Sequence, residues 1–338
     1  MKKISIIIPV FNCEQYLREC LNCVLAQTLK DIEVICIDDG STDTTLAILN
    51  KYAKRDARIQ VLTQENTGAA LARNRGIKIA QGEFLAFIDA DDLYPKADTL
   101  EKLYKNAKEQ GVLICGGSFS EFRTGTKVIV SQWDDPNLSG YTFHSPGIIN
   151  YSDYQFDYGW VRFIYNREFI VRNTLEQPNY RYFEDPPFFV RAMTAAERFY
   201  AIPDTTYLYR LPEKGLHGPS TTNRALDAFE GIEHNIRFAY QMGFETLLKL
   251  SVWRLCQISR FVEKNDFSVI KRQIELLALL ESFPEADLIT PPYVETLQWT
   301  LIDEKNALVD EIEALNNSKT FRFASFLARC SRKIRRLP

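Results

Sequence analysis

An α/β fold, a mostly parallel sheet flanked by helices with a C-terminal helical extension, is what this sequence predicts. Three observations carry it. Short runs that are apolar on both faces, Ile4 to Val10, Ile32 to Ile37 and Phe84 to Ile88, read as strands buried on both sides. Segments between them repeat apolar residues at helical spacing. Several strands then run directly into polar groups, as they do where an open parallel sheet presents its carboxyl edge to a ligand.

Taken in order, residues 4 to 11 form the first strand, with Pro9 at its far end where ladder bonds are no longer needed. Asn12 follows as a turn residue. Leu17, Leu21, Val24 and Leu25 mark a helix between Glu14 and Gln27. Ile32 to Ile37 is the second strand and ends in Asp38-Asp39-Gly40-Ser41-Thr42-Asp43, where Ser41 or Thr42 caps the next helix. Ile59 to Leu62 is the third strand. Asn66-Thr67-Gly68 opens a helix from Ala69 to Ile79, and Gly82 resets the chain for the fourth strand. This alternation is that of a parallel sheet with crossover helices.

The fourth strand ends in Asp89-Ala90-Asp91-Asp92. Charges cannot stay inside a doubly buried strand without a cation, so these carboxylates are expected to emerge at its edge. On an extended chain Asp89 and Asp91 share one side, which suits one hard divalent ion. The alternative is an acidic turn that caps the next helix. Two familiar nucleotide sites are excluded: the turn after the first strand reads Phe11-Asn12-Cys13-Glu14 where a G-x-G-x-x-G would stand, and there is no Walker A loop.

Composition narrows the class. A hydrophobic fraction of 46% with 25% charged residues is that of a globular chain, and no apolar segment approaches a membrane span. The formal net charge of -3 argues against a nucleic-acid partner. Seven cysteines, an odd number without framework spacing, point to a reducing compartment. Cys20-Leu21-Asn22-Cys23 lies within a helical pattern and has no second pair, so neither zinc nor redox use is expected. The N-terminal apolar run, broken by Pro9, reads as a strand and not as a secretory signal.

Pro9-Val10-Phe11-Asn12, the Asp38 to Asp43 segment, Asn66-Thr67-Gly68 with Ala72-Arg73-Asn74-Arg75-Gly76, and Gly82-Glu83 through Asp92 together resemble family 2 glycosyltransferases. Order and spacing both match, over about the first 115 residues. The resemblance implies a GT-A fold, which is Rossmann-like, an inverting reaction and a nucleotide-sugar donor, usually a UDP-sugar. It implies Mg2+ or Mn2+ on Asp91 with Asp89 beside it, stabilising the diphosphate leaving group as a Lewis acid. Pro9, Phe11 and Asp39 then belong to the donor site, with Asp39 accepting the base N–H and Asp38 structural. Arg73 reaches the nucleotide or its phosphates, the alternative being a solvated helix face.

Beyond Asp92 the chain continues with a helix, Ala97 to Glu109, and a strand, Val112 to Cys115. From Gly116 to about Pro146 it is polar and turn-rich, and Trp133-Asp134-Asp135-Pro136 reads as a surface loop near the acceptor. Trp160 to Ile170 reads as a short strand and helix, with Trp160 either near the acceptor or core filler. Glu184-Asp185-Pro186-Pro187-Phe188 places two acids ahead of a helix, with a proline at its first position and Asp185 near the N-cap. In the resembling family an Asp here is the catalytic base. A direct displacement needs one carboxylate to take the acceptor hydroxyl's proton, and Asp185 is assigned that role with Glu184 as the alternative. His217, in the loop Lys214 to Thr222, contacts metal or phosphate, or else faces solvent.

Ala225 to about Ser282 is a helical pattern without recognisable chemistry. Leu301, Leu308 and Leu315 suggest a short dimerising helix, hence a homo-oligomer. Phe323, Leu327, Cys330, Ile334 and Leu337 form one helical stripe among Lys319, Arg322, Arg329, Arg332, Lys333, Arg335 and Arg336. This basic amphipathic tail reads as an anchor on an anionic membrane, or else as a helix docked on the protein's own acidic surface.

The expected organisation is a nucleotide-sugar-binding half (1–115), an acceptor and catalytic-base half (116–222), a helical appendage (223–295) and a helix with the basic tail (296–338). The expected enzyme is cytoplasmic, peripheral on the inner face of the membrane, and builds cell-surface polysaccharide on a glycan or lipid-linked glycan acceptor. The alternatives are a sugar-phosphate nucleotidyltransferase, which wants a Gly-rich loop that is missing, and a non-catalytic membrane-associated scaffold. Asp39, Asp89, Asp91 and Asp185 together argue against the scaffold.

Overall fold

Apolar strands and amphipathic helices alternate as expected from Ile4 to Phe87. In the computed structural model, which describes residues 2–125, 129–130, 141–211, 221–259 and 266–283, the strands β1 (Ile4–Val10), β2 (Ile32–Asp38), β3 (Ile59–Thr63) and β4 (Phe84–Phe87) pair in parallel. Every residue of β1 and β2 is buried, which is why both runs are apolar throughout. The connecting helices are α1 (Leu17–Leu25), α2 (Thr45–Ala53) and α3 (Ala69–Ile79). On α3, Gly76 is required by contact: a Cβ there would stand 2.6 Å from the Ile7 side chain on β1. The α2 cap differs from expectation. Asp43, not Ser41 or Thr42, accepts from the Thr45 amide, because Ser41 and Thr42 are engaged by Asn12 across the strand ends.

After α4 (Thr99–Gln110) come β5 (Ile114–Phe122), β6 (Ile129–Val130), β7 (Gly147–Asn150) and α5 (Tyr151–Tyr154). A 3-10 turn at Trp160–Arg162 leads to β8 (Phe163–Asn166), α6 (Arg167–Arg172), α7 (Asp185–Ala196) and β9 (Arg198–Arg210). The sheet runs β3-β2-β1-β4-β8-β5-β9-β7, with β6 beside β5. Parallel pairing governs the β3-to-β4 side, while β8 is antiparallel to both β4 and β5. Because β5 crosses residues 115 and 116 and pairs with β8 and β9, one sheet carries both halves. Phe87, Trp160, Tyr165 and Phe188 interlock beneath it at ring separations of 4.7 to 6.2 Å.

Three helices follow, α8 (Thr222–Met242), α9 (Glu245–Ser259) and α10 (Phe267–Glu281). The chain divides into two compact units, Met1–Ile289 and Thr290–Pro338, and the second lies outside the described residues. His217, Trp133 to Asp135, the leucine repeat and the basic tail are all outside them. Among the described residues no helix is long and apolar enough to cross a membrane.

Candidate active site

β1 has β2 on one side and β4 on the other, so the chain order reverses there and the carboxyl ends of β1 and β4 flank a crevice. β4 pairing with β1 stops at Ile7, which leaves the end of β1 free to diverge. Pro9 is buried within β1, whereas Phe11 stands 46% exposed at the edge. Asn12 has a left-handed backbone (φ 48°), and its side-chain oxygen accepts from the Thr42 amide at 2.8 Å, tying the turns after β1 and β2 together.

Asp39 lies just past β2 and is buried. Its Oδ1 accepts from the Thr67 amide and the Gln64 side chain at 2.8 Å each, and its Oδ2 accepts from the Gly68 amide at 2.7 Å. The carboxylate therefore caps the approach to α3 and fixes the loop that lines this end of the crevice. Asp38 is also buried, and its Oδ1 has no hydrogen-bond partner among the described residues.

The acids after β4 do not lie on an extended chain. Asp89 to Asp92 form a turn, with the Asp92 amide donating to the Asp89 carbonyl at 3.0 Å. Asp92 turns inward, contrary to the expectation that all these carboxylates emerge. It is 1% exposed and accepts from the Tyr207 hydroxyl at 2.6 Å and the Arg210 amide at 2.7 Å, so donors on β9 hold inside a carboxyl that the sequence reading sent to the strand's edge. Burial, then Asp91 and Asp89, push its pKa well up. Tyr207 also accepts from the Asp89 amide, and Arg210 Nε donates to the Asp91 carbonyl at 2.6 Å. The sequence reads Tyr207 to Arg210 as a strand, which β9 contains, but assigns neither Tyr207 nor Arg210 a role: Tyr-Leu-Tyr-Arg gives no local sign that it clamps a loop 115 or more residues earlier.

What remains facing the crevice is Asp89 and Asp91. Burial first, then the Asp89 charge, push the Asp91 carboxyl up to about 6. No side chain among the described residues hydrogen-bonds it, and no third Asp, Glu, His or Cys joins the pair in a metal-ligand cluster there. Cys13 is a close neighbour, its thiol pushed up to about 12 by burial and then by Asp91.

Arg73 joins the two acidic motifs. It is neither on a solvated helix face nor free to roam: at 5% exposure, Nη2 donates to Asp89 at 2.7 Å and Nη1 to Glu184 at 2.9 Å and Gln177 at 3.1 Å. Its guanidinium lies 5.1 Å from the Trp160 ring, which is buried below the site. Burial opposes the charge of Arg73, yet Asp89 and Glu184 outweigh it and raise its pKa. Residues 16 and 111 positions away along the chain are thus held on one guanidinium.

Helix α7 begins one residue earlier than expected: Glu184 takes the N-cap position without a side-chain cap, and Asp185 is the first helical residue. Asp185 is half-buried and receives no side-chain hydrogen bond among the described residues. Burial first, then the Glu184 charge, raise its pKa far above the carboxylate range, with Arg73 opposing. The paired Glu184 and the unpaired Asp185 are therefore chemically distinct, although adjacent.

Comparison with known proteins identifies the family. The sequence profile of Glycosyl transferase family 2 matches residues 5–177, more than half of the chain and all of the crevice except Glu184, Asp185 and β9. The chain belongs to glycosyltransferase family 2. Among family relatives, a Bacillus subtilis protein named an uncharacterized glycosyltransferase, EpsJ, is 35% identical over 213 residues, which is 61% of this chain and 60% of EpsJ. The chain thus matches less than two thirds of that relative's length. Staphylococcus aureus TarS, solved with UDP-GlcNAc, superposes with a TM-score of 0.68 over 89% of each chain at 22% identity. A Pyrobaculum calidifontis mannosyltransferase solved with GDP-Man and Mn2+ superposes at 0.56, over 94% of this chain and 88% of its own, at 19% identity. At such identities the likeness establishes the GT-A fold.

Proposed function

We propose that this family 2 protein is an inverting glycosyltransferase that moves a sugar from a nucleotide-sugar donor, a UDP-sugar, to a glycan or lipid-linked glycan in cell-surface polysaccharide synthesis. The observation that carries the reading is Arg73, which draws the Asp89 turn and the Glu184-Asp185 pair to one crevice. A direct displacement wants both in one place, an acidic turn that can serve the leaving group and a carboxylate that can serve as base. Asp39 and the loop it fixes form the nucleotide end, beside exposed Phe11. Asp185 takes the acceptor proton: its raised pKa suits a base working near neutrality, and Glu184, held by Arg73, is not free to do so.

Asp91 and Asp89 fit a divalent cation. Asp91 has a destabilised charge with no side-chain partner, and magnesium-type ions use one or two carboxylates completed by substrate phosphate and water. Bound there, Mg2+ or Mn2+ would stabilise the growing diphosphate charge. His217, the basic tail's placement of the enzyme on the inner membrane face, and a homo-oligomer remain sequence-based parts of the proposal, since those residues lie outside the described ones.

A panel of nucleotide sugars, assayed for nucleoside diphosphate release with Mn2+ and with EDTA, tests the reading. UDP-sugars should be turned over, the acceptor should accelerate release, and EDTA or Asp91→Ala should abolish it. Full turnover in EDTA would remove the metal, and turnover confined to GDP-sugars would change the donor.

A further inference from the structure

Two residues ahead of Asp185, Phe183 holds its backbone in the left-handed region at φ 67°, which a bulky L residue avoids. Such a conformation persists only where the surroundings over-determine it, and it often marks a functional site. Here the surroundings are α8 and α9. Gly231 lies within the 21-residue helix α8, where glycine weakens a helix relative to alanine. Its reason is the approach of Phe183: a Cβ on Gly231 would stand 2.7 Å from the Phe183 ring and 2.8 Å from its carbonyl oxygen. The second contact is with backbone, which cannot swing aside as a flexible side chain does. One helical turn earlier, Asp227 accepts from the Arg181 amide at 2.6 Å, fixing the other end of the same loop. From α9, the Arg254 guanidinium lies 6.0 Å from the Phe183 ring and is itself held by fully buried Asp157 at 2.7 Å.

We propose that α8 is the seat of the catalytic loop, with Gly231 and Phe183 as positioning residues that set where the Asp185 carboxylate stands. The proposal rests on the reading of Asp185 as the base. The helices read from sequence as an appendage without chemistry thereby act on the reaction through the seat they give Arg181 and Phe183. A methyl at Gly231 must push the Phe183 carbonyl away, and the shift passes through Glu184 to Asp185. Displacements below an ångström lower kcat. The loop also reaches the donor side, through Arg181 on Asn66 and Glu184 on Arg73, but there Asp39 holds the Thr67 and Gly68 amides against the shift.

The test compares Gly231→Ala, Phe183→Gly and Asp185→Asn with wild type, using the UDP-sugar and acceptor that wild type turns over and UDP with Mn2+ as the binding probe. Phe183→Gly accepts the left-handed backbone without strain and removes only the ring, so it separates position from folding. Gly231→Ala and Phe183→Gly should each lower kcat by roughly tenfold to a hundredfold. Donor KM and UDP affinity should stay within about twofold, and the acid limb of the kcat–pH profile should move, because Asp185 changes its burial and its distance from Glu184. Wild-type kcat and pH profile in either folded variant would overturn the proposal. So would a loss that follows the folded fraction with the profile unmoved. Full activity in Asp185→Asn would remove the base and this proposal with it, while a loss in Gly231→Ala would then show the loop acting otherwise. A wild-type protein that transfers no sugar defeats both readings before any variant is made.

Discussion

Asp39, just past β2, and Asp185, the first residue of α7, live in opposite environments. Asp39 is saturated, accepting from two backbone amides and a side-chain amide at 2.7 to 2.8 Å. Asp185 receives no side-chain donor among the described residues, and burial with Glu184 beside it disfavours its charge. A carboxylate held by three donors is a fixed acceptor that sets the loop around it. An unsatisfied one is ready to take a proton. Local hydrogen bonding, not residue type, sets the two environments apart.

The sharpest way to break that contrast is Asp185→Asn. The amide keeps the shape and cannot accept a proton, so kcat should fall by roughly 10²-fold or more while UDP affinity holds. Single-turnover transfer with calorimetric UDP binding measures both. Equal loss of binding would make Asp185 structural, and a wild-type rate would pass the base to Glu184. In wild type, activity should rise with pH as Asp185 ionises, with its midpoint above the ordinary carboxylate range.

Asp39→Ala attacks the other carboxylate and should do less to the chemistry. It leaves the Thr67 and Gly68 amides without their acceptor, which costs about 1–3 kcal/mol of stability. Donor KM should rise, with kcat at saturation largely kept. A kcat collapse at full donor occupancy would show that the two roles are not separate.

How far this contrast was legible in the sequence depends on how far apart its partners lie. The β1 to β4 half reads well, because both-face apolar runs and helical periodicity are local signals. Asp39, Asp89, Asp91, Glu184 and Asp185 were legible as candidates because acids at strand ends and helix starts are local too. Their partners were not. Arg73 was read toward phosphate or solvent, since nothing near it shows that α3 lies against Trp160, Glu184 and Gln177. Asp92 was grouped with its neighbours because its satisfaction comes from β9. β7, the full length of β9 and the Gly116–Phe122 part of β5 were missed: Gly147–Asn150 is short, its burial alternates where a buried strand's would not, and Gly116, Gly117, Ser118 and Ser120 read as turn although they lie buried in β5. Pro203 interrupts the 13 residues of β9, and proline demotes a strand reading.

The smallest expected effect concerns Asp91, and its sign reverses the usual carboxylate case. Its folded pKa is raised to about 6, so it favours the folded state below the unfolded carboxylate pKa and loses that contribution as pH rises through about 6. In EDTA, Asp91→Asn should therefore match wild type near pH 4 and be the more stable protein at pH 7.5, by on the order of 1 kcal/mol. Thermal melts across that range, both proteins in EDTA, read the difference directly. Adding Mn2+ should close the gap at pH 7.5 by stabilising wild type alone, and should do little at pH 5, where the ligand carries a proton. A stability gap independent of pH would mean that Asp91 has a counter-ion in the folded protein. A gap that opens with pH but ignores Mn2+ would keep the destabilised carboxylate and take the cation away from it.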